Sequence, residues 1–334
     1  MSNERVAYVD IAKTIAIFLV ILGHVTETDT FCKTVVYSFH MPLFFILAGF
    51  FLDTSGTISI NKIWHFVKKK FMALMVPYFI WAFFYSQLNI KNLAYIGWGS
   101  WQTLGKAQSL SSLWFLPCLF LGYLIAYWSL LVFNFIKDSN WRNTICGIIL
   151  FIIAFLVPHN LEIGVFWCAD IAIMAASFIC WGRPIRLIVE RISVRQPVEI
   201  FLMIISASVL FCFSLYSFKI GNHYVRMANG TYGNALVFLT SSLFGSFAVI
   251  ELSRLLSAYL PNSCSLISFA GGNTLAVFVI HRFILNSLFV FIEYESRFTF
   301  VLTSSIIIYI ISLLCAWLIL KVAPVMFGKY YQSK

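Results

Sequence analysis

The sequence predicts an all-α polytopic membrane protein, a bundle of about ten transmembrane helices with both termini cytoplasmic. Three observations predict it. The 334-residue chain is 61% apolar and only 11% charged, with 35 Phe, and its mean hydropathy is +0.89. Soluble domains carry about 25% charged residues. Long windows are almost free of charge, at about the 20 residues that cross roughly 30 Å of hydrocarbon as a helix. These windows do not alternate in polarity as the roughly ten-residue strands of a membrane barrel would; "LWFLPCLFLGYLIAYWSLLVFNFI" (113–136) shows this.

Charged and polar breaks delimit the spans. In order they fall at about 6–26, 35–53, 71–89, 113–136, 144–158, 163–181, 198–218, 234–253, 267–290 and 299–320. The first ends at His24, and the second opens at "FHMPLFF". The third follows the run Lys68, Lys69 and Lys70. The fifth is short, and its closing "VPHNLEIG" also suits a re-entrant turn. The ninth is interrupted by His281 and Arg282.

Lys and Arg set the orientation. With an even number of spans, sixteen of the 23 basic residues fall on the side of the termini and seven on the other. That bias places the termini inside. It also accounts for the net charge of +10 without nucleic acid as a partner. "RPIRLIVERISVR" reads as a basic cytoplasmic loop near anionic lipid heads.

Other classes fall away. Asp10 and Lys13 interrupt the N-terminal apolar run, and no small-residue cleavage site follows, so it is not a cleavable signal. The eight cysteines are scattered without zinc-ligand or CxxC spacing and read as small core residues. There is no Gly-rich phosphate loop, no GxSxG elbow and no metal site. No loop exceeds about 25 residues, so residues 1–334 are expected to form one integral-membrane domain with no appended soluble domain. No bound cofactor is expected, and the oligomeric state is open.

The ionisable residues inside the spans carry the chemistry. From Asp10 to His24 is 14 residues, about 21 Å of helix. At 100° per residue, His24 returns to within about 40° of Asp10 and about 20° of Lys13. The three share one face, with Asp10 and Lys13 towards the cytoplasm and His24 at the outer end. An Asp or Lys at mid-helix costs about 2.5–3.5 kcal/mol on insertion scales. Such groups face a polar cavity or each other, and an i,i+3 ion pair of Asp10 with Lys13 is the plainer alternative. His40 opens the second span at the level of His24. Arg282, beside His281, needs a partner from a neighbouring span. Transporters and intramembrane enzymes both look like this.

Four stretches extend the reading. "RVAYVDIAKTIAIFLVILGH" has a basic residue, an acid, a basic residue, then an apolar run ending in His. "FHMPLFFILAGFFL", "LWFLPCLFLGYL" and "GGNTLAVFVIH" follow in order. Together they resemble the membrane acyltransferase 3 family of bacterial glycan O-acyltransferases. "DIAKTIAIFLVILGH" is most similar to its fucose 4-O-acetylase-like branch.

The resemblance implies a reaction. An acyl group, commonly acetyl, passes from cytoplasmic acyl-CoA, a co-substrate, to a hydroxyl of a cell-surface or lipid-linked glycan at a bacterial inner membrane. His24 matches the catalytic histidine, a general base that takes the sugar hydroxyl's proton; His40 is the alternative base. Asp10 belongs to the same motif. Glu27 either orients His24 or is a solvated loop acid. Lys13, Lys69, Lys70, His281 and Arg282 are the expected acyl-donor contacts. Lys68, Lys69 and Lys70 stand where the family has an Arg-rich stretch, and lysine neutralises phosphate without gripping it bidentately. They also serve as ordinary positive-inside residues. Trp114 and Asn273 are the expected acceptor contacts, with the outer loops 88–109 and 219–234. A glycan exporter or flippase on the same fold, with the histidines relaying protons, is the rival reading.

Overall fold

The computed structural model describes residues 6–54, 59–107, 110–159, 161–192, 196–221, 225–259, 264–288 and 297–329. Arg5, Arg195 and Lys334, three of the sixteen basic residues counted on the side of the termini, lie outside the described residues. The described residues form helices with no β-strand. α1 (Ala7–Val25) and α2 (Phe31–Gly49) come first. α3 (Ile60–Lys70), a π-helical turn (Phe71–Met75) and α4 (Val76–Tyr85) follow without a break. α5 (Ile90–Trp98) and α6 (Trp101–Leu104) are short. Then come α7 (Phe115–Val132), α8 (Ser139–Leu156), α9 (Ala169–Ile192), α10 (Gln196–Lys219), α11 (Ala235–Tyr259), α12 (Cys264–Gly272), α13 (Thr274–Leu288) and α14 (Phe298–Val322).

Eight of these helical segments are long and apolar enough to cross a membrane: those of α1, α2, α7, α8, α9, α10, α11 and α14. The expected third and ninth spans are the two that are not single long helices. In the third, Pro77 has no N–H for the carbonyl of Ala73 and its ring crowds that group; the chain answers by widening into the π-helical turn just before it. In the ninth, a turn at Asn273 separates α12 from α13. The fifth span is a regular helix, α8, capped by Asp138, whose carboxylate accepts from the backbone N–H of Asn140 and Trp141 at 2.8 and 2.9 Å.

The chain divides into two compact units. One contains Met1–Leu47, Ile185–Arg226 and Tyr232–Ala316; the other contains Ala48–Pro184, Met227–Thr231 and Trp317–Lys334. In the first unit α1 is central, packed on α11, α12 and α13. Its inner positions Ala12, Ala16, Ile17 and Ile21 are completely buried. Between lipid-embedded helices close packing replaces water exclusion as the driving force, so small residues sit at the contacts. Gly271 of α12 is one: a Cβ there would overlap the carbonyl oxygen of Asp10. Polar ties supplement the packing. Thr14 Oγ1 donates to the Ile267 carbonyl at 3.2 Å, and Ser242 Oγ to the Ser38 carbonyl at 2.8 Å. α10 and α14 leave large apolar side chains exposed, among them Phe201, Phe211, Ile307 and Leu314, a surface suited to lipid.

In the second unit Gly49 lets α2 end against the backbone of Ile179 in α9. Trp81 Nε1 donates to the Met326 carbonyl at 2.9 Å. Buried Arg142 donates from Nη1 to Asn134 Oδ1 at 2.7 Å and from Nη2 to Thr54 Oγ1 at 3.0 Å, which offsets part of the cost of burying a cation there.

Candidate active site

The site builds on the last turn of α1. His24 is half-buried there. α13 lies against α1 and brings two neighbours. The ring of His281 stacks on that of His24 with centroids 5.4 Å apart and planes at 29°. Arg282 Nη1 lies 3.4 Å from His24 Nδ1. A guanidinium only donates, so Nδ1 of His24 faces it as acceptor, and the proton of the neutral ring sits on Nε2. The partner that Arg282 needed from a neighbouring span is the histidine at the end of the first.

His281 is completely buried. Its Nδ1 donates to the Phe278 carbonyl at 2.6 Å, and its Nε2 has no hydrogen-bond partner. His40, also buried, donates from Nδ1 to the Val36 carbonyl at 2.8 Å, and its ring lies 4.8 Å from that of Tyr37. These backbone bonds fix both tautomers and leave each Nε2 as the basic nitrogen.

Two residues here were not singled out from the sequence. Lys33 is buried, donates from Nζ to the Thr26 carbonyl at 2.9 Å and lies 5.3 Å from the Tyr37 ring centroid. Tyr37 donates to the Gly23 carbonyl at 3.3 Å, tying α2 to the turn that holds His24. The signal was spacing: Lys33 and His40 are seven residues apart and share a face of α2.

The other expected residues scatter. Asp10 is buried near the opposite end of α1, and among the described residues no ion pair joins it to Lys13. Glu27 follows α1 without a hydrogen bond to His24, whose Nδ1 faces Arg282 instead. Asn273 is buried at the α12–α13 break and donates from Nδ2 to the Phe269 carbonyl at 2.7 Å.

Three expected residues belong to the second unit. Lys69 is exposed at the end of α3. Lys70 is seated over the Tyr123 ring, with Nζ 3.3 Å from its centroid. Trp114 is buried in the 3-10 turn before α7. That unit also holds a pair missed in the sequence. His159 Nδ1 meets Asp170 Oδ2 at 2.9 Å and its Nε2 meets the Ala154 carbonyl at 3.1 Å. Both ring nitrogens face acceptors, so the ring is an imidazolium. The Asp170 carboxylate holds its pKa above the ordinary histidine value, against the opposing pull of burial.

A multi-pass bundle with a histidine–arginine cluster at the end of its first span fits a transporter as well as an enzyme, and comparison with known proteins gives the family. A family profile described as "Acyltransferase domain" matches residues 6–321, nearly the whole chain. The chain belongs to the membrane acyltransferase 3 family and is a multi-pass membrane protein. Among curated proteins it is similar to "Nodulation protein NolL" of Sinorhizobium fredii, 33% identical over 91 residues. The protein of the same name from Mesorhizobium japonicum is 34% identical over 91 residues. Each match covers 24% of this chain and 24% of the relative, so the matched part spans about a quarter of those relatives. No solved structure matches.

Proposed function

We propose that the protein is an O-acyltransferase that moves an acyl group, acetyl in the first instance, from cytoplasmic acyl-CoA to a hydroxyl of a cell-surface or lipid-linked glycan. Its place is the bacterial inner membrane, with both termini in the cytoplasm. The observation that carries the reading is the constellation of His24, His281 and Arg282 at one end of α1. His24 is the general base through Nδ1: as substrate enters, the Arg282 guanidinium turns from Nδ1 to the thioester oxygen and leaves that lone pair free for the sugar O–H. As it takes the proton from the sugar O–H, that oxygen attacks the thioester carbonyl and the C–S bond breaks. The imidazolium then returns the proton to the departing CoA thiolate, so no net proton is released. Positioned proton transfer of this kind contributes about 10²–10⁴-fold. Arg282 is suited to the negative charge on the thioester oxygen as the tetrahedral intermediate forms. His281 holds the His24 ring in plane. Lys69 and Lys70 serve the phosphates of CoA as point charges.

The test uses the purified full chain in lipid nanodiscs, labelled acetyl-CoA and a panel of lipid-linked and capsular sugars. Label in an alkali-labile ester on the glycan supports the reading. Translocation of glycan across the bilayer with no acyl change would overturn it in favour of a transporter.

A further inference from the structure

Within the first unit, a second polar feature lies at the end of α2 that follows His24 in the chain. A small, partly open niche is lined by Thr34 and Ser38 of α2, Ser214 and Ser217 of α10, and Tyr232 and Ser241 beside and on α11. Six of its lining side chains carry hydroxyls, set among Val225, Val237 and Phe238. A helical serine ordinarily returns its hydroxyl to a carbonyl three or four residues back. Ser208, Ser253, Ser305 and Ser312 do so here. Ser214 and Ser241 do not. Each is 1% exposed, and the Oγ of each has no hydrogen-bond partner. Buried hydroxyls without partners are uncommon, and each one calls for an explanation. Two of them lining one niche have a common explanation, an oxygen that enters between them.

The size limits what enters. The cavity volume is about 10 Å³, close to the least that holds one water. It admits a single hydroxyl or water and nothing larger. A hydroxyl can donate to one serine and accept from the other. Thr34 and Ser38 stand on the first two turns of α2, directly after the short 26–30 connection from α1, so the niche is at the same end of this unit as His24.

We propose that this niche is a hydroxyl-recognition subsite for the acceptor: Ser214 and Ser241 bind one hydroxyl of the sugar, other than the one that is acylated. The proposal rests on the acyltransferase reading. It makes the two serines specificity-determining residues and the acceptor a polyol read by a neutral hydrogen-bonding pocket.

The experiment compares the wild-type full chain in nanodiscs with Ser214→Ala/Ser241→Ala and with the near-isosteric Ser214→Cys/Ser241→Cys. Acyl transfer is measured against the acceptor found in the panel and against its deoxy analogues. A second, turnover-independent readout is the thermal shift given by methyl glycosides of glucose, galactose and fucose. The expected result is an acceptor KM raised about tenfold or more in the alanine variant, with the KM for acetyl-CoA and kcat within about twofold. One deoxy analogue should be transferred equally by wild type and variant. An unchanged acceptor KM with a changed melting temperature would mean a fixed structural water only, overturning the subsite while leaving the transferase intact. If wild type transfers no acyl group but a glycoside stabilises it and not the alanine variant, the subsite stands and the transferase reading fails. No transfer and no such shift overturns both.

Discussion

His24 has Arg282 at 3.4 Å on one side and the His281 ring at 5.4 Å on the other, so its rotamer is held by two groups from one helix. That arrangement sets the first prediction. His24→Ala should lower acyl transfer by at least about a hundredfold, the lower end of general-base catalysis, while the protein still inserts and binds acetyl-CoA. His40→Ala should be milder, because His40 spends its Nδ1 on the Val36 carbonyl and no hydrogen bond links it to His24. Rates measured side by side decide; a His24 variant keeping more than a tenth of wild-type activity sends the role to His40 or His281. The lysines of α3 separate in a second prediction. Lys69 is exposed, whereas Lys70 lies over Tyr123, a contact worth about 0.5–2 kcal/mol. Lys69→Ala should raise the KM for acyl-CoA several-fold with the melting temperature unmoved. Lys70→Ala should move both. An acyl-CoA KM untouched by either change makes these lysines purely topological.

Helix ends and breaks supply the next level. The π-helical turn before Pro77 comes from local chemistry, a missing N–H, whereas Gly271, just before the turn at Asn273, answers to the backbone of α1 at Asp10. The connection from α8 to α9 is held by an ion pair, His159 with Asp170, and this makes it pH-sensitive. The histidine's pKa is raised in the folded protein. Its stabilisation is therefore complete below the unfolded value of about 6.5 and is lost as pH rises through the folded value. The stability difference between wild type and Asp170→Asn should be largest near pH 6 and shrink towards pH 9, followed by thermal unfolding in detergent. A difference that stays constant across that range would mean that the pair is not ionic.

For the whole molecule, the distribution of charge is the quantity that orients it. Lys and Arg concentrate on the side assigned to the termini because anchoring cations is cheaper than translocating them. Cysteines introduced singly into a cysteine-free background test this. Lys62→Cys on α3 should react with a membrane-impermeant maleimide only after the cells are opened. Glu162→Cys, between α8 and α9, should react in intact cells. The reverse pattern would turn the protein over and put His24 on the donor's side.

The spans and the helical class were legible in the sequence, because apolar run length and charge placement are one-dimensional properties that the bilayer reads directly. The place of His24 at the end of the first helix was legible too, and the order of the four matched stretches carried the family. Long-range contacts were not legible. Spacing put Asp10, Lys13 and His24 on one face of α1, yet a helical wheel cannot say which helix covers that face. Packing of α13 on α1 decided that Arg282, rather than Glu27, stands at His24 Nδ1. The same holds for Lys70 on Tyr123, for His159 with Asp170, and for the serines of α10 and α11 that line one niche. Each joins residues from different segments, and in a membrane the choice of neighbour is made largely by close fit between helix surfaces, a property of the assembled bundle that no single segment contains.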